Sequence, residues 1–241
     1  MRRHSARVAL AIAAVFMTVG LATWALAVRE RPGIAPRPEA QRPALMLLTT
    51  LPLVFPDEFS LQGGGSKALT ALETRYRVVA ISTTDAGSLG HGRLLLLAHP
   101  PAQPAEALVD LDRWVRDGGR VLLLADPRLD WPSSRPLGDK FRPPPAFADT
   151  GLLAHWGLQL EPPDEPGPAQ RQLGERLIRT ASPGTLSGSC RVVSGFVAHC
   201  SIGKGEATVV ADADFLNVDQ LDGATKSNLD GLLAELATLE R

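Results

Sequence analysis

Three aspartates close apolar runs of this chain: Asp126 ends RVLLLAD, and Asp212 and Asp214 end GEATVVADADF. In open α/β sheets, ligands bind beyond the carboxyl ends of the strands, where such acids sit. If the three converge they can hold a divalent cation. Carboxylate oxygens more than about 8 Å apart could not, because the ligands of one cation sit roughly 2.0–2.6 Å from it. The same residues have plainer uses. An Asp before Pro127 initiates a turn, and Asp212 or Asp214 can cap the segment after its strand. His99 ends the run RLLLLAH and joins the aspartates as a ligand-binding candidate. For His99, as for His155, the plainer reading is a satisfied structural histidine.

Other chemistry is missing where it would be needed. A nucleophilic α/β hydrolase sets Ser or Cys on a tight strand-to-helix elbow over backbone donors. The strand over 93–98 leads instead into His99-Pro100-Pro101, which has no hydroxyl or thiol, and the prolines remove two donors. No GxSxG occurs, and Gly188-Ser189-Cys190 lies on a β run. Gly63-Gly64-Gly65-Ser66-Lys67 precedes a helix but is not a phosphate loop. Ser66 separates the last glycine from the lysine, and Ser60 stands where the first glycine belongs. Ser66 is expected to cap the helix.

Cys190 and Cys200 bracket RVVSGFVAH, two β-prone runs about a Ser194-Gly195 turn signal. Folding there sets 190 opposite 200, where a cross-strand disulfide can form. Reduced thiols and a metal site with His199 are the alternatives, although a metal would lack both a fourth ligand and CxxC spacing.

These residues need a frame, and hydrophobic periodicity supplies one. Runs at 44–53, 77–82, 93–99 and 120–126 read as strands, and those at 44–53, 93–99 and 120–126 are apolar throughout. Helical spacing covers 66–76, 105–119 and 224–240, with Leu108, Leu111, Trp114 and Val115 on one face of the second and Gly118-Gly119 stopping it. Continuous apolar strands between helices predict an α/β fold, a mostly parallel sheet flanked by helices. CRVVSG, FVAHCSIG and GEATVVADADF add a C-terminal antiparallel β extension. Residues 127–147 and 161–171 read as proline-rich loops, of the kind that serve as lids or partner surfaces.

Residues 1–7 form a short basic tail, and 8–28 form an uncharged apolar run long enough to span a bilayer as a transmembrane signal-anchor. Ala25-Leu26-Ala27 also fits a signal-peptide cleavage site. Either reading exports the rest of the chain. RERPGIAPRPEAQRP (29–43) is expected to be a Pro-rich linker, and 44–241 the periplasmic α/β domain. A net charge of -1 and 5% aromatic residues argue against a nucleic-acid partner.

LLLLAHPPAQPAEALVDLDRWVRDGGRVLLLADP (94–127) resembles the auxiliary component family of uncharacterised and gliding-motility ABC-type transport systems. The features that carry this are the proline-containing turn, the LDxWVxxGG helix end and the Asp-Pro strand end. LLAHWGLQLEPP (152–163) and GKGEATVVADADFL (203–216) come next in the family's order. The resemblance implies a class I glutamine amidotransferase-like domain lacking the catalytic cysteine, flavodoxin-like in layout. It also implies a tether to the inner membrane beside ABC transporter permease and ATPase subunits. It carries over no catalytic residues. The expected function is that of a non-catalytic accessory subunit, with no cofactor and no resident metal. The alternatives are a metal-assisted hydrolase using the strand-end carboxylates, or an envelope protein that makes contacts through its proline loops.

Overall fold

The computed structural model describes residues 33–54, 65–136, 138–221 and 223–241, and Ile34–Arg241 form one compact unit. The expected tail and anchor over 1–28 lie outside the described residues. Among the described residues, no helix is long and apolar enough to cross a membrane.

A seven-stranded sheet runs through the domain. It is built from β1 (Ala44–Thr49), β2 (Arg77–Ala80), β3 (Leu94–Ala98), β4 (Arg120–Leu124), β9 (Arg191–Val193), β10 (Val197–Ile202) and β11 (Gly205–Val210), in the order β2-β1-β3-β4-β11-β10-β9. The first five in that order are parallel, and β10 and β9 add antiparallel strands at one edge. The leucine runs of β1, β3 and β4 are buried on both faces, as continuous apolar strands require. Two hairpin-like ladders lie outside this sheet. They are β5 (Leu158–Glu161) with β8 (Thr185–Gly188), and β6 (Pro168–Leu173) with β7 (Arg176–Ala181). The expected loop over 161–171 therefore becomes a strand from Pro168 onward. Its alternation of exposed and half-buried residues is that of a two-stranded ribbon, which a proline at its first position permits.

The helices are α1 (Lys67–Glu73), α2 (Ala86–Leu89), α3 (Ala105–Arg116), α4 (Leu152–His155) and α5 (Thr225–Leu239). The chain moves one way along the sheet from β1 to β2 and the other way from β2 to β3 and β4. Right-handed crossovers therefore put α1 on one face and α2 and α3 on the other. The C-terminal α5 packs beside α1 and over β4 and β11. Ser66 caps α1, its hydroxyl accepting the Leu69 N–H at 3.1 Å. Gly63 and Gly64 lie outside the described residues.

α3 ends in a Schellman motif. The Gly119 N–H donates to the Trp114 carbonyl at 3.0 Å, and the Gly118 N–H to that of Val115 at 2.9 Å. Gly118 takes φ 111°, and a Cβ on Gly119 would come within 2.2 Å of the Trp114 ring. Both glycines are thus fixed, one by backbone conformation and one by packing.

The described part of the expected Pro-rich linker, residues 34–43, lies against the domain. Ile34 packs on the core, Arg37 N–H donates to the Thr74 carbonyl at 2.9 Å, and the Arg37 side chain pairs with Glu240 at 2.6 Å. Proline punctuation keeps 34–43 out of α-helix and sheet apart from a 3-10 turn at Glu39–Gln41, and the rest of its backbone is then free to dock on the domain.

Cys190 and Cys200 form a disulfide, with 4.9 Å between their Cα atoms. Ser194 and Gly195 both take positive φ, as a tight hairpin turn demands. Closing so short a loop stabilises by roughly 2.5–3 kcal/mol in the chain-entropy model.

Candidate functional site

β4 and β11 are parallel neighbours with Leu124 opposite Val210. Continuing that register by two residues brings Asp126 level with Asp212. The chain then turns into a 3-10 segment, Asp214–Leu216, which folds Asp214 back toward the same point. One carboxylate oxygen from each of Asp126, Asp212 and Asp214 lies within 4.8 Å of the others. That spacing is compatible with one shared cation, whose opposed ligands stand roughly 4–5 Å apart.

Asp126 and Asp212 also perform the local tasks expected of them, whereas Asp214 bonds across to the loop. The Asp126 Oδ1 accepts the Arg128 N–H at 2.9 Å, an Asx turn through Pro127, and its Oδ2 accepts the Ala213 N–H at 2.9 Å from the neighbouring strand end. The Asp212 Oδ1 accepts the Phe215 N–H at 3.0 Å, and both of its oxygens lie within 2.6 Å of the Thr180 hydroxyl on β7. Asp214 accepts the Asp130 N–H on both oxygens, at 3.1 and 2.9 Å. These bonds pin the 127–147 loop across the strand ends. Phe147 N–H donating to the Asp126 carbonyl at 2.6 Å closes its far end.

The three carboxyls are 0%, 0% and 2% exposed. Among the described residues no lysine or arginine side chain bonds to any of them. Burial, opposed by the Ala213 and Arg128 amides, pushes Asp126 up to about 6. Burial and then the charge of Asp126 push Asp214 up to about 8. Asp212 is raised well above the usual carboxylate range by burial and by Asp126. The cluster therefore retains protons at neutral pH or shares a cation. The adjoining cavity, about 20 Å³ and lined by Leu97, Pro100, Leu123 and Phe147, includes none of the three.

His99 ends β3 in a left-handed conformation, φ 48°, and is fully buried. Its Nε2 lies 2.9 Å from the Pro144 carbonyl, so Nε2 carries the proton. Burial lowers its pKa, leaving the ring neutral, and its Nδ1 has no partner among the described residues. The aspartate cluster does not include it; His99 anchors the proline loop from the neighbouring strand.

Sequence reasoning missed the residues that support the cluster. Ser182 (φ 50°) donates its hydroxyl to Asp130 and accepts the Gly167 N–H at 3.0 Å. Asn228, buried in α5, donates to the Phe215 carbonyl at 2.8 Å and to the Arg179 carbonyl at 2.7 Å, and accepts the Arg179 N–H at 2.9 Å. The available signal was a polar residue on the apolar stripe shared with Gly231, Leu232 and Leu236.

No protein-family model matches the chain, and no curated protein matches it significantly. Among solved structures, it is similar to the mmIFT52 N-terminal domain, with TM-score 0.51 and 15% identity over 81% of this chain and 97% of that one. It is also similar to the exo-β-1,4-mannosidase Op5Man5 from Opitutaceae bacterium strain TAV5, with TM-score 0.50 and 12% identity over 84% of this chain. This chain spans 36% of the mannosidase. At such identities the likeness is one of fold.

Proposed function

We propose that this protein is a non-catalytic accessory subunit of an ABC-type transport or envelope system. It is anchored in the inner membrane through residues 8–28, with an amidotransferase-like domain facing the periplasm. The five parallel strands run in the flavodoxin-like order, which supports that layout. The observation that carries the reading is the closed carboxyl end of the sheet. The strand ends offer a His-Pro-Pro turn in place of a nucleophile elbow, and the three acids beneath the loop expose almost no surface. The exposed Phe141, flanked by the cations Arg135 and Lys140 at 5.3 and 4.8 Å, supports the loop's outer surface as the partner contact. Affinity purification of the full chain from crosslinked membranes tests this. Recovery of permease or ATPase subunits is the expected outcome, and their consistent absence overturns it.

A metal-assisted hydrolase is the second reading, favoured by the 4.8 Å convergence of the carboxylates. It requires Mg²⁺, Mn²⁺ or Ca²⁺ to raise Tm at pH 8 and Asp212→Asn to remove that rise. A Tm indifferent to all three ions eliminates it.

A further inference from the structure

The end of the sheet opposite the aspartates carries a pattern of its own. Each of the five parallel strands begins with a cation: Arg77 is the first residue of β2, Arg42 stands two residues before β1, Arg93 immediately precedes β3, Arg120 opens β4, and Lys204 immediately precedes β11. In sheet order these read Arg77, Arg42, Arg93, Arg120, Lys204, one per strand. Register keeps them within three residues of one another along the strands. Ala44 pairs with Arg77, Leu94 pairs with Arg120 and with Leu45, and Arg120 also pairs with Glu206. At about 4.8 Å between strands, this row spans on the order of 20 Å. An open cleft of about 660 Å³ at this end is lined by Pro43, Arg93, Asp117, Arg120, Lys204 and Arg241.

The acids at this end are partly committed. Glu206 pairs with Arg120 at 2.9 Å, and Glu240 is held by Arg37 and the Tyr76 hydroxyl. Asp117 lines the same cleft, and Glu39 and Glu73 stand shortly before Arg42 and Arg77 in the chain. Arg77, Arg93 and Lys204 are exposed and make no ion pair among the described residues. The chain reaches the domain at this same end: Ile34–Pro43 runs past Thr74, and Pro43 accepts the Arg77 N–H at 2.9 Å. Only residues 29–33 separate Ile34 from the expected anchor, a reach of at most about 18 Å when fully extended.

We propose that this basic row rests on the anionic phospholipid headgroups of the membrane that anchors the chain, turning the aspartate end and its proline loop away from the bilayer. The inference rests on the anchored reading above. A band of cations at one end of the sheet, with Arg77, Arg93 and Lys204 exposed, lies beside the point where the chain arrives and complements a negative surface. A phosphate-lined membrane attracts such charges over about a Debye length.

The test uses the full chain reconstituted into neutral phosphatidylcholine vesicles and into vesicles that also contain phosphatidylglycerol. Hydrogen exchange is followed at 92–94, 119–121 and 203–206. Exchange at these segments is expected to slow on the anionic vesicles, to recover in high salt, and to stay unchanged around Phe141. The triple variant Arg77→Gln, Arg93→Gln, Lys204→Gln should abolish the slowing, each charge accounting for about fivefold in affinity. Flotation on neutral vesicles through an alkaline wash reports the anchor separately. A chain that floats but exchanges alike on both lipids overturns the inference and leaves the anchor standing. A chain that fails to float on neutral vesicles, yet shows salt-sensitive slowing on anionic ones, overturns the anchor and supports the basic row. Slowing that requires added membrane proteins assigns the surface to a protein partner and overturns the inference.

Discussion

The two ends of the central sheet are built from the same five strands and are opposites in charge and in access. At the carboxyl ends three aspartates sit within 4.8 Å of one another beneath a loop, with no cationic side chain bonded to them among the described residues. At the amino ends stands a row of arginines and one lysine, of which Arg77, Arg93 and Lys204 are open to solvent and without an acidic partner among the described residues. The difference shows where each kind of charge is tolerated. Exposed guanidinium groups keep their hydration and cost little, so a row of them can stand unpaired. Buried carboxylates lose hydration, so they stay protonated, take up backbone N–H groups, or require a cation.

That contrast makes pH the strongest way to break the comparison. The folded pKa of Asp126 and Asp214 lies above the ordinary carboxylate value, so folding favours their protonated forms. Their contribution is complete below about pH 4 and is lost as pH rises through about 6 and then about 8. Chemical denaturation of the full chain should therefore show a loss of roughly 8 kcal/mol from this source between pH 4 and 9. Asp214→Asn should recover about two-thirds of that loss at pH 9 and change little at pH 4. A wild-type profile as flat as the variant's would show that the cluster is already neutralised by other means.

Asn228 gives the next largest effect. Its amide pairs with one N–H and two carbonyls from β7 and the 3-10 turn, so Asn228→Ala should cost about 3 kcal/mol. A calorimetric Tm lower by roughly 6–12 °C is the expected reading. A cost under about 1 kcal/mol would mean that the aspartate end is held by the loop alone. The smallest effect belongs to the basic end. Neutralising Arg77, Arg93 and Lys204 together should move stability by less than about 0.5 kcal/mol, because none is buried, or paired among the described residues. A larger loss would show that the row helps hold the sheet rather than standing free on it.

Much of this frame is legible in residue order. Runs such as LLLLA and RVLLL can be buried on both faces only as interior strands, and the spacing of Leu111 and Val115 fixes the inner face of α3. Gly118 and Gly119 mark its end because the backbone there needs a left-handed residue followed by one without a side chain. The hairpin joining Cys190 to Cys200 arises from local alternation about Ser194-Gly195. Short-range signals of this kind depend on backbone conformation within a few residues, and a single sequence records them directly. Strand β6 escaped because a proline and a polar alternation look like a loop until β7 is known to lie beside it.

The sequence by itself determined the α/β alternation, the ends of the main helices and strands, the absence of a nucleophile elbow, and which acids stand at strand ends. Only the tertiary structure decided that those acids meet. Asp126 and Ala213 are 87 residues apart, and nothing local says that β4 has β11 for its neighbour rather than β5 or β10. The same long-range pairing aligned five separate cations into one row, since strand order is settled by packing across the whole sheet. It also decided the protonation of the aspartates, because burial is a property of everything that covers a residue, and here the cover is a loop whose sequence advertises only its prolines.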